Sequence, residues 1–86
     1  MFRPEEIQAR LRERPFRPLR FIVSEGLRFE IRHPDLVFVG LRDITIGHEL
    51  PGVPGIYDRV TRVAIMHIVG IEDLIPTPPD TNGTAS

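Results

Sequence analysis

The sequence predicts a mainly β domain, in which one N-terminal helix precedes five or six short antiparallel strands that form a small closed or nearly closed barrel. Three observations predict it. A single helical pattern, bounded by Pro4 and Pro15, occupies the N-terminus. Residues 19–32 alternate apolar and polar side chains on both sides of a Ser24-Glu25-Gly26 turn. Short segments rich in β-branched residues then follow one another, separated by Gly, Pro and Asp.

The helix is expected over residues 4–14. Pro4 suits the first helical position, where a missing N–H costs nothing. Glu5 and Glu6 lie in the first turn, and Arg10, Arg12 and Arg14 toward the other end, the arrangement the helix dipole favours. Ile7 and Leu11 are four apart and share a face, with Phe2 placed to pack near them. Pro15 ends the helix, because the residue before a proline is pushed out of helical geometry. So short a helix needs a surface to dock on.

The register of the first hairpin follows from its side chains. A two-residue loop would pair Val23 with Arg28 and Phe21 with Glu30, mixing apolar and charged groups on one face. A three-residue loop pairs Val23 with Leu27, Phe21 with Phe29 and Leu19 with Ile31. Its other face then carries Ile22 beside Arg28 and Arg20 beside Glu30, an opposite-charge pair. A one-residue slip exchanges the two faces, so this pattern selects the second register. The turn is expected to be type I followed by a left-handed residue, Gly26.

Beyond the His33-Pro34-Asp35 interruption, residues 36–39 are continuously apolar and read as a strand that is central or covered on both faces. Strands are expected at about 44–47 and 59–67, with the longest irregular loop at 50–55 between them. Residues 68–72 read as a tight bend into a short last strand. The domain is expected over residues 1–75, and the Pro- and Thr-rich segment 76–86, which has no side chains to build a core, reads as a disordered tail. A folding unit of this size buries only about 60% of its unfolded surface, so self-association would help to stabilise it.

The 86 residues contain no Cys, which excludes disulfides, thiolate metal sites and cysteine nucleophiles. No apolar stretch approaches the roughly 18 residues of a membrane span, and the N-terminus lacks a signal-peptide apolar region. A cytoplasmic chain without membrane contact is the expectation. All 11 basic residues are Arg. A GC-rich coding sequence accounts for this, as it does for the abundant Pro and Gly; guanidinium chemistry toward phosphate or carboxylate is the functional alternative. The net charge of −1 is unevenly distributed. Residues 1–20 carry six Arg and three Glu, whereas the remainder carries five Arg and nine acids. This basic head and acidic body either create an interaction polarity or attract one another.

Several motifs occur together: Arg14-Pro-Phe-Arg-Pro-Leu-Arg20, the turn at Ser24-Glu25-Gly26, the string from Phe29 through His33-Pro34-Asp35, and His67-Ile-Val-Gly-Ile-Glu72. In combination they resemble a family of short, uncharacterised bacterial proteins that read Arg-Pro-Phe-x-Pro, an Asp-Gly turn, His-Pro-Glu and His-Ile-x-x-Ile-Glu. The resemblance spans roughly residues 10–73 and implies a shared fold without assigning any active residue. Here Glu25-Gly26-Leu27 stands where the family has Asp-Gly-Arg. In architecture the chain is also similar to SH3-like barrels and to Sm-like barrels, which form rings that bind RNA. The Sm-like family places an Arg-Gly pair after its fourth strand to hold a base. The matching position here is Val69-Gly70, with the glycine but without the arginine.

Catalytic chemistry finds little support. His33, His48 and His67 lie near acids, but none has the i, i+4 helical spacing of a zinc motif, and each reads better as a structural residue. His33 is expected to hydrogen-bond the backbone kinked by Pro34. No Gly-x-Ser-x-Gly surrounds Ser24 or Ser86. Gly52-Val-Pro-Gly55 places proline where a phosphate loop needs N–H donors. Asn82-Gly-Thr84 matches a glycosylation acceptor by chance. No catalytic residue, cofactor or metal ligand is assigned. The expected function is a non-enzymatic interaction module, self-associating and protein-binding, motivated by Ile22 on the outer hairpin face, an edge strand and the Pro-rich tail. The alternative is nucleic-acid binding through a stripe of Arg10, Arg14, Arg17, Arg20, Arg28 and Arg32, which is interrupted by Glu13 and Glu30 and lacks stacking aromatics.

Overall fold

A computed structural model describes residues 1–74; the 76–86 tail expectation lies outside the described residues. One helix and six strands succeed one another: α1 (Pro4–Leu11), β1 (Leu19–Val23), β2 (Arg28–Ile31), β3 (Val37–Val39), β4 (Asp43–Glu49), β5 (Tyr57–Ala64) and β6 (Ile68–Asp73). The ladders are all antiparallel and form two three-stranded sheets, β2-β1-β6 and β3-β4-β5. Among the described residues no ladder joins the two into a continuous cylinder.

Both sheets and the helix contribute to a single core. Leu19, Phe21, Val23 and Ile31 come from the first sheet, Val37, Ile44, Ile46 and Val63 from the second, and Ile7 and Leu11 from α1. Ile65, from the turn between β5 and β6, and Ile68, at the start of β6, complete it. Each large apolar side chain so buried contributes about 1.5–3 kcal/mol. Arg3 N–H donates to Glu6 Oε1 at 2.7 Å, closing the start of α1. The helix ends at Leu11, three residues before the expected Arg14, since Leu11 is its last core-facing residue.

The first hairpin has the register derived from its side chains: Leu19 opposite Ile31, Arg20 opposite Glu30, Phe21 opposite Phe29 and Ile22 opposite Arg28. Its turn differs in one respect. Glu25 (φ 77°) and Gly26 (φ 86°) are both left-handed, where one left-handed residue was expected.

Three other expectations are corrected. β3 is an edge strand rather than a central one, and its middle residue Phe38 is 70% exposed. A short apolar run has the same appearance whether one face or both are covered, and β4 takes the central place instead. β5 stops at Ala64, followed by a single 3-10 turn over Ile65–His67. Residues 68–72 belong to β6, which pairs with β1 from Ile68 to Asp73 with one register shift at Val69, rather than to a bend. Gly70 lies opposite Ile22, and a Cβ there would come 3.4 Å from Ile22 Cδ1, so the glycine accommodates that side chain.

Candidate interaction surface

The basic head meets the acidic body directly. Arg10 pairs with Asp73 at the end of β6, and Arg17 reaches the same carboxylate at 3.4 Å. Arg17 also clasps Glu13 with both Nε (3.0 Å) and Nη2 (3.3 Å). On the outer face of the first sheet, Arg20 on the central strand donates to Glu30 on one side (3.1 Å) and Glu72 on the other (3.2 Å). Glu30 further accepts from Arg32 at 3.2 Å. The hydrogen bonds from Arg17 and Arg20 hold the carboxyls of Glu13 and Glu30, respectively, below the ordinary carboxylate range. They raise the two guanidinium groups correspondingly. Of the six arginines in the stripe, four are thus engaged with carboxylates. Arg14 donates to the Leu11 and Glu13 carbonyls, and Arg28 has no ion-pair partner among the described residues.

The histidines are separated. His33 Nδ1 accepts from the Asp35 N–H at 3.3 Å, the backbone role expected of it. His48 shares a 2.8 Å hydrogen bond with Thr61 Oγ1 and lies 6.2 Å from Phe29, ring to ring. Burial pushes its pKa down, with help from the Arg59 charge. His67 Nδ1 lies 3.4 Å from Ser24 Oγ, beside a cleft of about 230 Å³ between the first hairpin and β5. Among the described residues, no three His, Asp or Glu side chains gather as a metal-binding group. No helix of the described residues is long and apolar enough to cross a membrane.

The β4–β5 hairpin presents a different surface, one that sequence reasoning missed. Of the residues of β5, Tyr57, Asp58, Arg59, Val60 and Arg62 are exposed and Val63 alone is buried. Among the described residues β5 pairs with β4 on one side only, and its other edge is unpaired. On the outer face of this sheet Phe38 and Val60 (63% exposed) stand in solvent. Tyr57 lies across Gly47, its ring 3.5 Å from where a Cβ would be, and its hydroxyl donates to the Asp35 carbonyl at 3.3 Å.

The loop at the end of the hairpin is regular. Val53 N–H donates to the Leu50 carbonyl at 3.0 Å, and Ile56 N–H to the Val53 carbonyl at 3.3 Å. Each turn has proline second and a left-handed glycine third, Pro51-Gly52 (φ 76°) and Pro54-Gly55 (φ 87°), the signature of a type II turn. Two such turns share Val53. Leu50 N–H to the Ile56 carbonyl (2.7 Å) and Gly55 N–H to Glu49 Oε2 (2.8 Å) fasten them to the strands. The tip therefore holds Leu50, Val53 and Ile56 partly in solvent on a fixed backbone. The repeated X-Pro-Gly-X spacing was the available signal. So was the separation of Val60 from Val63, since an odd spacing in a strand puts two apolar residues on opposite faces.

Ile22, by contrast, is half-buried over Gly70 and offers no apolar surface comparable to Phe38 or Val60. Against this geometry, comparison with known proteins gives no match: no family model matches the chain, nor does any curated protein or solved structure.

Proposed function

We propose that the chain is a small SH3-like or Sm-like barrel that acts as a non-catalytic interaction module, self-associating and binding protein through its β4–β5 hairpin. The barrel reading is supported by the order of the strands. β2 and β3 follow one another across a short 3-10 turn at Pro34–Leu36, like two arms of one bent strand. Taken that way, the sheets run β6-β1-β2 and then β3-β4-β5, with the 3-10 turn of Ile65–His67 leading back to β6.

The observation that carries the functional reading is the exposure of β5, a strand held by one ladder with five of its eight residues exposed. An unpaired edge strand that exposes apolar side chains is a template for pairing with another chain, although Asp58, Arg59 and Arg62 restrict which partner fits. The nucleic-acid alternative draws less support, because Arg10, Arg17, Arg20 and Arg32 already face carboxylates of the same chain. Light scattering over a micromolar concentration series tests the proposal. The expected result is a concentration-dependent rise in mass; a strict monomer that also retains no protein partner on purification contradicts it. Salt-sensitive binding of labelled RNA, lost when Arg28 becomes Ala, would favour the alternative instead.

A further inference from the structure

The direction in which each β5 residue presents its backbone follows from one hydrogen bond. Ile65 N–H donates to the Arg42 carbonyl at 2.8 Å, one step beyond the Asp43–Ala64 pair of the β4–β5 ladder. In an antiparallel ladder, hydrogen-bonded and non-hydrogen-bonded pairs alternate. Val63, Thr61 and Arg59 therefore direct their N–H and C=O groups at β4, opposite Ile44, Ile46 and His48. Val60, Arg62 and Ala64 direct theirs at the free edge.

From this parity we infer that two copies of the chain associate through antiparallel β5–β5 pairing about a two-fold axis at Val60. The inference rests on the self-associating reading above and specifies its partner as a second copy. A two-fold interface brings the same patch of both copies together, and an edge ladder requires outward-directed residues to face one another. Near the middle of the strand, registers centred on Arg59, Val60, Thr61 or Arg62 satisfy both conditions.

Side-chain chemistry separates them. Centring on Arg59 or Arg62 sets that guanidinium against its own copy, and like charges directly opposite are destabilising. Centring on Thr61 places Val60 against Arg62 and Arg59 against Val63, twice each, so every pair around the axis mixes charged with apolar. Centring on Val60 places it against its own copy, Thr61 opposite Arg59, and Arg62 opposite Asp58 of the second copy, again twice. Asp58 is the residue that the β4 ladder skips, between the Glu49–Tyr57 and His48–Arg59 pairs. It is exposed and has no ion-pair partner among the described residues. Arg62 is 77% exposed and touches a carboxylate only loosely, 3.7 Å from Asp43. The Val60 register thus gives the unpaired Asp58 and the loosely held Arg62 opposite partners and covers an exposed apolar side chain. The two sheets would join into one six-stranded sheet across the axis.

Sedimentation velocity on the full chain tests this with four variants, each checked for an unchanged thermal melt. Asp58→Arg and Arg62→Asp singly set like charges opposite one another twice, and each is expected to weaken dimerisation roughly tenfold. The double variant Asp58→Arg/Arg62→Asp is expected to restore it, because each pair is then reversed rather than broken. Val60→Glu is expected to give a monomer, two carboxylates meeting on the axis. A dimer that all four variants leave unchanged overturns the β5 pairing while leaving self-association standing. A wild-type monomer throughout overturns both this inference and self-association. Failure of the double variant to recover overturns the Val60 register.

Discussion

On the outer face of the β2-β1-β6 sheet, Arg20 lies between Glu30 and Glu72, and Ile22 fills the space that Gly70 leaves. On the outer face of β3-β4-β5, Phe38 and Val60 are exposed, Tyr57 lies across Gly47, and among the described residues the strand edge beyond has no partner. Both sheets close over the same core, so their inner faces are equivalent. They differ in whether the outer face is satisfied within the chain. The first sheet, with Asp73 receiving both Arg10 and Arg17 and Arg20 held between Glu30 and Glu72, resolves most of its charges internally. The second leaves apolar side chains exposed and, among the described residues, one strand edge unpaired. Charge asymmetry in this chain therefore serves intramolecular attraction, and the proposed association falls to the sheet with the exposed apolar side chains.

That contrast can be broken first at the core. Phe21 is fully buried in the first sheet, and Phe21→Ala is expected to cost about 3–5 kcal/mol, read as a large fall in the urea midpoint. Phe38→Ala, the same substitution on the outer face of the second sheet, is expected to move stability by no more than about 0.5 kcal/mol while lowering association in light scattering. Similar losses from the two substitutions would erase the distinction between the faces.

A smaller effect is expected at the hairpin tip. Gly52→Ala meets no atom within 4 Å, so its cost comes from the left-handed backbone alone, about 1 kcal/mol. Faster amide exchange of Val53 and Ile56, with the core amides unchanged, is the accompanying signature. Protection unchanged at both amides would show that the paired turns do not hold the tip.

Acid should separate the regions more gently. His48 lies in the second sheet and its folded-state pKa is lowered from 6.5 chiefly by burial. The unfolded chain therefore takes up the proton first, and stability declines as pH falls from 6.5 toward the lower folded value. Glu13 and Glu30 are lowered from 4.5 by Arg17 and Arg20, so their contributions are present above 4.5 and fade as pH drops through their folded values. Denaturation measured across pH should show both declines in the native chain and only the acidic one in His48→Gln. A variant with the same upper decline would remove His48 from that role.

Much of the first sheet was legible because its side chains allow one solution. Only one register puts Leu19, Phe21, Ile31 and Phe29 on a common face and Arg20 against Glu30, and the structure has that register. The second sheet was less legible for two reasons. Val37, Phe38 and Val39 form an unbroken apolar run, and alternation carries no information where every residue is apolar. Which strand lies at an edge depends on long-range pairing, and a local pattern does not contain it. The arginines were legible as a group, but their partners were not. Asp73 lies far along the chain from Arg10 and Arg17, and it meets them only because β6 returns to pair with β1. The twin turns at the tip were fully written in Pro51-Gly52 and Pro54-Gly55, and reading the segment as irregular overlooked them.

Residue-resolved amide exchange of β5 at low and high protein concentration tests the central claim most directly. Thr61 and Val63 direct their N–H groups to β4 and should be protected at both concentrations. Val60 and Arg62 direct theirs outward and should become protected only as the chain associates. An alternating pattern that appears with concentration is the expected result. Association without any gain of protection at Val60 and Arg62 would contradict the account.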